Sequence, residues 1–218
     1  MSAFTLVVGN KNYSSWSLRG FLAARAAGVR FDEVLVRLSE PGSKDELLKH
    51  SPAGKVPVLK HGDRVIWDSL AIVEYLAEVR PEAGLWPADA GARAHARAIA
   101  AEMHSGFSAL RAGMPMNLKK SLPGKGRSRD VADDIERICA LWADCRARYG
   151  AAGPFLFGDF GAADVMYTPV ATRFRTYVVE LDDICRAYVD AVLTRPDYLE
   201  WHAAALEEPW VIAEDEVV

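Results

Sequence analysis

The apolar positions begin with a short run, Phe4-Thr5-Leu6-Val7-Val8, as expected of a strand buried on both faces. Leu18, Phe21, Leu22 and Ala26 then recur at helical spacing up to Gly28, a residue suited to stopping a helix. From Phe31 to Leu38 apolar and charged residues alternate, which predicts a second strand. Ser43 to Lys49 reads as a short helix and Pro52-Ala53-Gly54 as a loop. Val56, Val58 and Leu59 form the next apolar run, and Pro57 belongs at its opening because it cannot donate to a ladder. Gly62-Asp63 marks a turn, and Val65-Ile66-Trp67 returns as a strand. Behind Asp68-Ser69, residue types that cap helix starts, Leu70, Ile72, Val73 and Leu76 repeat at helical spacing. The predicted order is β-α-β-α-β-β-α, with the first two strands parallel through a right-handed crossover.

The stretch Pro81 to Pro87 breaks this pattern with two prolines and sets a domain boundary, giving domains 1–80 and 88–218. Everything beyond it is helical in period. Ile99, Met103, Phe107 and Leu110 mark one face of a single long helix, ended or kinked at Met114-Pro115-Met116. Ser121 to Arg129 is a basic, glycine-containing loop. A second stripe (Val131, Ile135, Ile138, Leu141, Trp142, Cys145 and Tyr149) reads as a core face. Ahead of the next helix Gly161 stands at the cap and Asp164 three residues on, where its carboxylate can reach back to free N–H groups. Phe160 and Val165 are spaced for a hydrophobic staple, while glycine at the cap leaves half of the capping box missing. Two further helices are expected near Leu181 to Leu193 and Pro196 to Leu206. The acidic tail from Glu207 onward shows no usable pattern.

Composition narrows the function. Over 218 residues the formal net charge is −4, which argues against a nucleic-acid surface. No apolar run approaches the ~20 residues of a membrane span, so no membrane contact is expected. The histidines at 50, 61, 95, 104 and 202 form no ligand cluster, and no metal is expected. Cys139, Cys145 and Cys185 are odd in number, lack CxxC spacing and follow no signal-peptide pattern; the expected setting is the reducing cytoplasm. With no cysteine in the first domain, a thiol–disulfide oxidoreductase is disfavoured.

A cis Val56-Pro57 bond would turn the Val56 backbone outward, free to pair with an extended peptide as an added strand. The bare N–H groups at Ser69 would face the same space and favour a carboxylate. Together these suit a small peptide with a free carboxylate. Lys55-Val56-Pro57-Val58-Leu59 and Trp67-Asp68-Ser69-Leu70-Ala71-Ile72 resemble the glutathione-binding core of the cytosolic glutathione transferases, and the resemblance runs from about residue 4 to 206. It implies an α/β thioredoxin-like N-terminal domain followed by an all-α helical C-terminal domain that contributes the co-substrate site. Glutathione is then the co-substrate. Ser69 is expected to hold the γ-glutamyl carboxylate and Asp68, where the family more often has Glu or Gln, the γ-glutamyl ammonium. Val56 would pair with the cysteinyl backbone and Lys55 meet the glycyl carboxylate. The segment Phe157 to Val165 resembles the family's folding motif, which usually carries Ser or Thr where Gly161 stands.

Such chemistry needs a thiolate from a thiol of reference pKa about 8.5, favoured by a hydroxyl donor at a helix start. By resemblance to the serine-type classes, Ser14 is the catalytic residue in Ser14-Ser15-Trp16-Ser17, with Ser15 the runner-up and Tyr13 a further hydroxyl. The bland alternative is that these serines only cap the helix. The second substrate, a small electrophile, is expected against Trp16, Met103, His104 and Phe107. His104 also reads as a satisfied interdomain histidine. Arg111, Arg173 and Arg175 would suit an anionic co-substrate. The function implied is conjugation of glutathione to small electrophiles in detoxification. Ser14 to Arg19 is also similar to the opening motif of the zeta class, with Trp16 in place of its cysteine, so glutathione-dependent cis–trans isomerisation is the near alternative. A non-catalytic binding or assembly module of the same fold is the third. The resemblance further implies a homodimer through the third and fourth helices, and the alanine-rich helix from Ala92 would permit close approach.

Overall fold

The structure is a computed structural model that describes residues 3–217. Four strands, β1 (Phe4–Val8), β2 (Phe31–Leu35), β3 (Val58–His61) and β4 (Arg64–Trp67), form one mixed sheet in the order β2-β1-β3-β4. β1 pairs parallel with β2 and antiparallel with β3, and β3 pairs antiparallel with β4. Pleating explains the apolar run of β1. Phe4, Leu6 and Val8 join the main core, whereas Val7 points to a smaller cluster with Val36, Leu47 and Val58 on the other face.

Helices α1 (Ser15–Ala26), α2 (Ser43–Leu48) and α3 (Ser69–Val79) connect and cover the strands in the predicted order. β2 ends at Leu35, short of the predicted Leu38. The Val36 N–H still reaches the Val8 carbonyl at 2.9 Å, but the Leu38 N–H is taken by Asn10 Oδ1 at 2.7 Å. A side chain thus replaces the strand partner. The Val56-Pro57 bond is cis. At Gly20 of α1 a Cβ would lie 2.7 Å from the Pro57 Cβ, so glycine there allows the proline loop to lie directly on the helix.

Six helices follow: α4 (Ala90–Ser105), α5 (Ser108–Gly113), α6 (Arg129–Tyr149), α7 (Ala162–Thr176), α8 (Asp183–Leu193) and α9 (Pro196–Glu207). The single long helix expected through Leu110 is in fact two. α4 stops at Gly106, and Phe107 takes a left-handed φ of 57° before α5 begins. The cause is Arg111, whose guanidinium folds back onto the Gly106 carbonyl at 3.0 Å, the His104 carbonyl at 3.1 Å and the Met103 carbonyl. A cation on the last carbonyls satisfies groups that a continuing helix would have used. α7 is the buried axis of this region and packs on α1, α4 and α8.

The start of α7 follows the sequence expectation. The Asp164 carboxylate accepts from the Gly161 N–H at 2.9 Å and from the Leu156 N–H at 3.1 Å. The structure also explains the missing cap side chain, because a Cβ on Gly161 would sit 2.7 Å from the Leu85 carbonyl oxygen. The segment from Pro81 to Pro87 therefore runs too close for Ser or Thr. Among the described residues no helix is long and apolar enough to cross a membrane.

Candidate active site

The start of α1 and the loop before β3 face each other across a cavity of about 410 Å³, lined on one side by Tyr13, Ser14, Ser15 and Trp16 and on the other by Lys55 and Val56. A second cavity of about 340 Å³ shares Trp16, Lys55 and Val56 and runs on to Trp67, Asp68 and Ser69. The two sequence motifs thus meet at Trp16.

Ser14 is the N-cap of α1, and its Oγ accepts from the Ser17 N–H at 3.2 Å. Its Oγ also lies 2.8 Å from Ser17 Oγ, which in turn accepts from the Gly9 N–H at 2.9 Å. In the structure Ser14 is the donor of this pair; rotation of its hydroxyl, with Ser17 donating in its place, would turn the Ser14 hydrogen to the cavity. Ser15 is also buried and accepts from Arg173 Nη2 at 3.4 Å. The Tyr13 hydroxyl is committed elsewhere. It donates to Glu216 Oε1 at 2.6 Å, and burial together with that carboxylate pushes its pKa up to about 12.

At the far end, Ser69 is 1% exposed and its Oγ has no hydrogen-bond partner. A buried orphan hydroxyl at the first turn of α3 fits the carboxylate of a peptide ligand. Asp68 caps α3 by accepting from the Leu70 N–H at 2.8 Å and adopts φ 75°. Its other oxygen faces His104 Nε2 at 3.3 Å, so any ammonium there shares the carboxylate with two donors. Lys55 is exposed at the rim.

His104 lines neither cavity but lies edge-on to Trp16, with ring centroids 5.3 Å apart. Burial, with Arg19 and Arg111 nearby, lowers its pKa against the raising influence of Asp68. Met103 and Phe107 do not line either cavity. Met103 is 1% exposed inside the core, and Phe107 turns inward where α4 breaks. Pro115, Met116, Arg111 and Arg173 form the wall in their place. Arg175 likewise leaves the site and donates to the Tyr198 hydroxyl.

Two features escaped sequence reasoning. The first is Arg19, a fully buried cation that joins Arg111 and Arg173. The guanidinium carbons of Arg19 and Arg111 lie 4.7 and 4.8 Å from the Trp16 ring centroid. Arg173, held by the carbonyls of Met114 and Pro169 at 2.8 and 3.0 Å, completes the group. Burial and mutual repulsion lower the pKa of Arg19, and of Arg173 to about 10. Nothing in the periodicity of α1 marked Arg19 as buried. The second is the acidic tail, which docks against the site. Glu208 accepts from the Lys11 and Asn12 N–H groups at 2.7 and 3.2 Å, Glu216 from Tyr13 and Asn117, and Asp215 lines the cavity. Among the described residues no group of three or more His, Cys, Asp or Glu is placed to hold a metal ion.

A thioredoxin-like sheet with a cis-proline loop, facing a helix start with an orphan serine and joined to a helical region, defines the class of the glutathione-binding transferases. A family model described as Glutathione S-transferase, N-terminal domain, matches residues 13–79. A probable maleylacetoacetate isomerase of Caenorhabditis elegans is 41% identical over 164 residues, 73% of this chain and 75% of that protein. The maleylacetoacetate isomerase of Rattus norvegicus is 36% identical over 172 residues, covering 77% and 76%. Among solved structures, a glutathione transferase homolog from Burkholderia with bound glutathione superposes with TM-score 0.71 at 24% identity, covering 94% of this chain and 98% of that one. The chain belongs to the cytosolic glutathione transferase superfamily, with similarity to its zeta class. It is a member of an enzyme family whose co-substrate is glutathione.

Proposed function

We propose that this protein binds glutathione across the two adjoining cavities, with Ser69 and the α3 start at the γ-glutamyl carboxylate, Val56 at the cysteinyl backbone, and Lys55 near the glycyl end. Ser14 donates to the sulfur and favours its thiolate, with Ser17 holding the Ser14 oxygen in place. Asp68 is left to orient the ammonium while it caps α3. The observation that carries this reading is the pair of motif ends on two cavities that share Trp16, Lys55 and Val56: an orphan buried Ser69 Oγ in one and the Ser14 hydroxyl in the other.

The co-substrate is a small electrophile bearing a carboxylate. Arg111 and Arg173 stand in the wall beside Pro115 and Met116, with Asp215 in the same cavity, and a guanidinium recognises carboxylate through charge-assisted hydrogen bonds. Thiolate addition to such a molecule gives a conjugate if the adduct is released. It gives cis–trans isomerisation if the adduct rotates about the former double bond and then expels the thiolate. The isomerase outcome is favoured by the names of the nematode and rat relatives. The test is retention on immobilised glutathione, followed by turnover of a chromogenic aryl electrophile and of maleylacetoacetate, each with and without glutathione. Loss of retention and absence of both turnovers would leave the non-catalytic alternative.

We also propose a division into domains 1–80 and 88–218 and a homodimer built on α3 and α4. Ala92, Ala96 and Ala100 are used inside the subunit, whereas Ala94, Ala98 and Ala101 are exposed on the outer face of α4, where a partner helix would approach closely. Three free thiols support the cytoplasm as its compartment.

A further inference from the structure

Away from the active site, α6 and α8 bring two of the three cysteines together. The Cys185 thiol donates to the Cys139 carbonyl at 3.7 Å, which sets its sulfur beside residue 139 of α6. Cys185 is fully buried at the first turn of α8, where its N–H donates to Asp182 at 2.7 Å. Cys139 is partly exposed on α6. The third cysteine, Cys145, is buried.

We propose that Cys139 and Cys185 form a redox-responsive dithiol that closes into a disulfide between α6 and α8, with glutathione disulfide as the oxidant. The two sulfurs divide the work by position. Cys139 is the more exposed of the two and is the attacking thiol, while the fully buried Cys185 is the resolving thiol. The neighbouring Cys185 thiol lowers the pKa of Cys139, whereas Cys139, burial and the adjacent Asp182 raise that of Cys185. The Cys139 thiolate attacks one sulfur of glutathione disulfide, forming a mixed disulfide and releasing one glutathione thiolate. Cys185 then loses its proton to that base or to solvent and attacks the Cys139 sulfur. The protein disulfide forms and the second glutathione leaves as a thiolate. Two protein thiols are oxidised by two electrons, and one glutathione disulfide is reduced to two glutathione molecules. Burial pushes the Cys145 thiol up to about 12, which keeps it out of the exchange.

The experiment treats the full-length folded protein with glutathione disulfide, blocks remaining thiols with N-ethylmaleimide, and maps the peptides by mass spectrometry. Thiols titratable in denaturant are expected to fall from the three in the sequence to one. A Cys139–Cys185 cross-linked peptide should appear and vanish on reduction. Cys185→Ser should stop at a glutathionyl adduct on Cys139, Cys139→Ser should remain unmodified, and Cys145→Ser should close like the wild type. A wild-type protein that keeps a stable glutathionyl group on Cys139 without cross-linking overturns the proposal. So does one whose cysteines react only after unfolding. The wild-type result decides even where a variant fails to fold.

Discussion

Replacing Asp164 by Ala removes one carboxylate that accepts from two backbone donors, the Leu156 and Gly161 N–H groups at 3.1 and 2.9 Å. Leu156 is fully buried, so its N–H bears the full penalty of an unmet donor, about 1–3 kcal/mol. Gly161 is partly exposed and costs less, because water reaches it. At pH 7.5 the sum is about 2–3 kcal/mol, or a fall in melting midpoint of about 5–10 °C at 2–4 °C per kcal/mol. The pH dependence tests the cause. Burial raises the Asp164 pKa from 3.8 to about 6, so the folded state holds this proton more tightly than the unfolded one. Wild-type stability from this group is therefore greatest below pH 4 and is lost as pH rises toward and through 6. Between pH 5 and 7.5 the wild type loses about 1.4 kcal/mol that the alanine variant does not, at 1.36 kcal/mol per pKa unit. The variant's deficit should accordingly shrink by that amount over the same interval. The assay is guanidinium unfolding of both proteins at the two pH values, together with glutathione affinity, which should hardly change. A deficit that grows with pH refutes the desolvation argument, and an unaltered midpoint refutes the capping role itself.

Ser14→Ala should raise the pKa of bound glutathione by one to two units, since a charge-assisted hydrogen bond is worth about 1.5–3 kcal/mol, while affinity changes little. Ultraviolet thiolate absorbance against pH reads this, with Ser15→Ala losing far less and Ser17→Ala producing part of the shift through the 2.8 Å contact with Ser14. A shift that follows Ser15 and not Ser14 would move the role to that residue. Glu216→Gln should bring the Tyr13 phenol down from about 12 toward the ordinary value near 10, seen in the tyrosinate absorbance; an unmoved titration counts against the tail contact. Arg173→Gln should raise KM for a carboxylate-bearing co-substrate at least about tenfold, the equivalent of one charged hydrogen bond, and spare a neutral electrophile. Equal losses on both would indicate a structural role.

The sequence alone fixed what depends on neighbours along the chain. Strand and helix periods, the caps at Ser14 and Asp68, the proline opening β3 and the carboxylate at Asp164 each act within a few residues, and their chemistry is written locally. The motif pairs around Val56 and Ser69 were legible for the same reason. What the tertiary structure decided depends on residues far apart. Arg111 ends α4 because its side chain returns to carbonyls that a periodic pattern treats as mid-helix. Glycine occupies the α7 cap because the Leu85 backbone crosses there. Met103 and Phe107 share a helical face on paper, yet the break at Gly106 turns that face into the core and leaves the wall to Met116 and Arg173. The acidic tail carries no period at all. It docks because Glu208 meets N–H groups nearly two hundred residues away, and Glu216 meets Tyr13 and Asn117. A carboxylate finds its donors by proximity in space, and that is information only the folded chain contains.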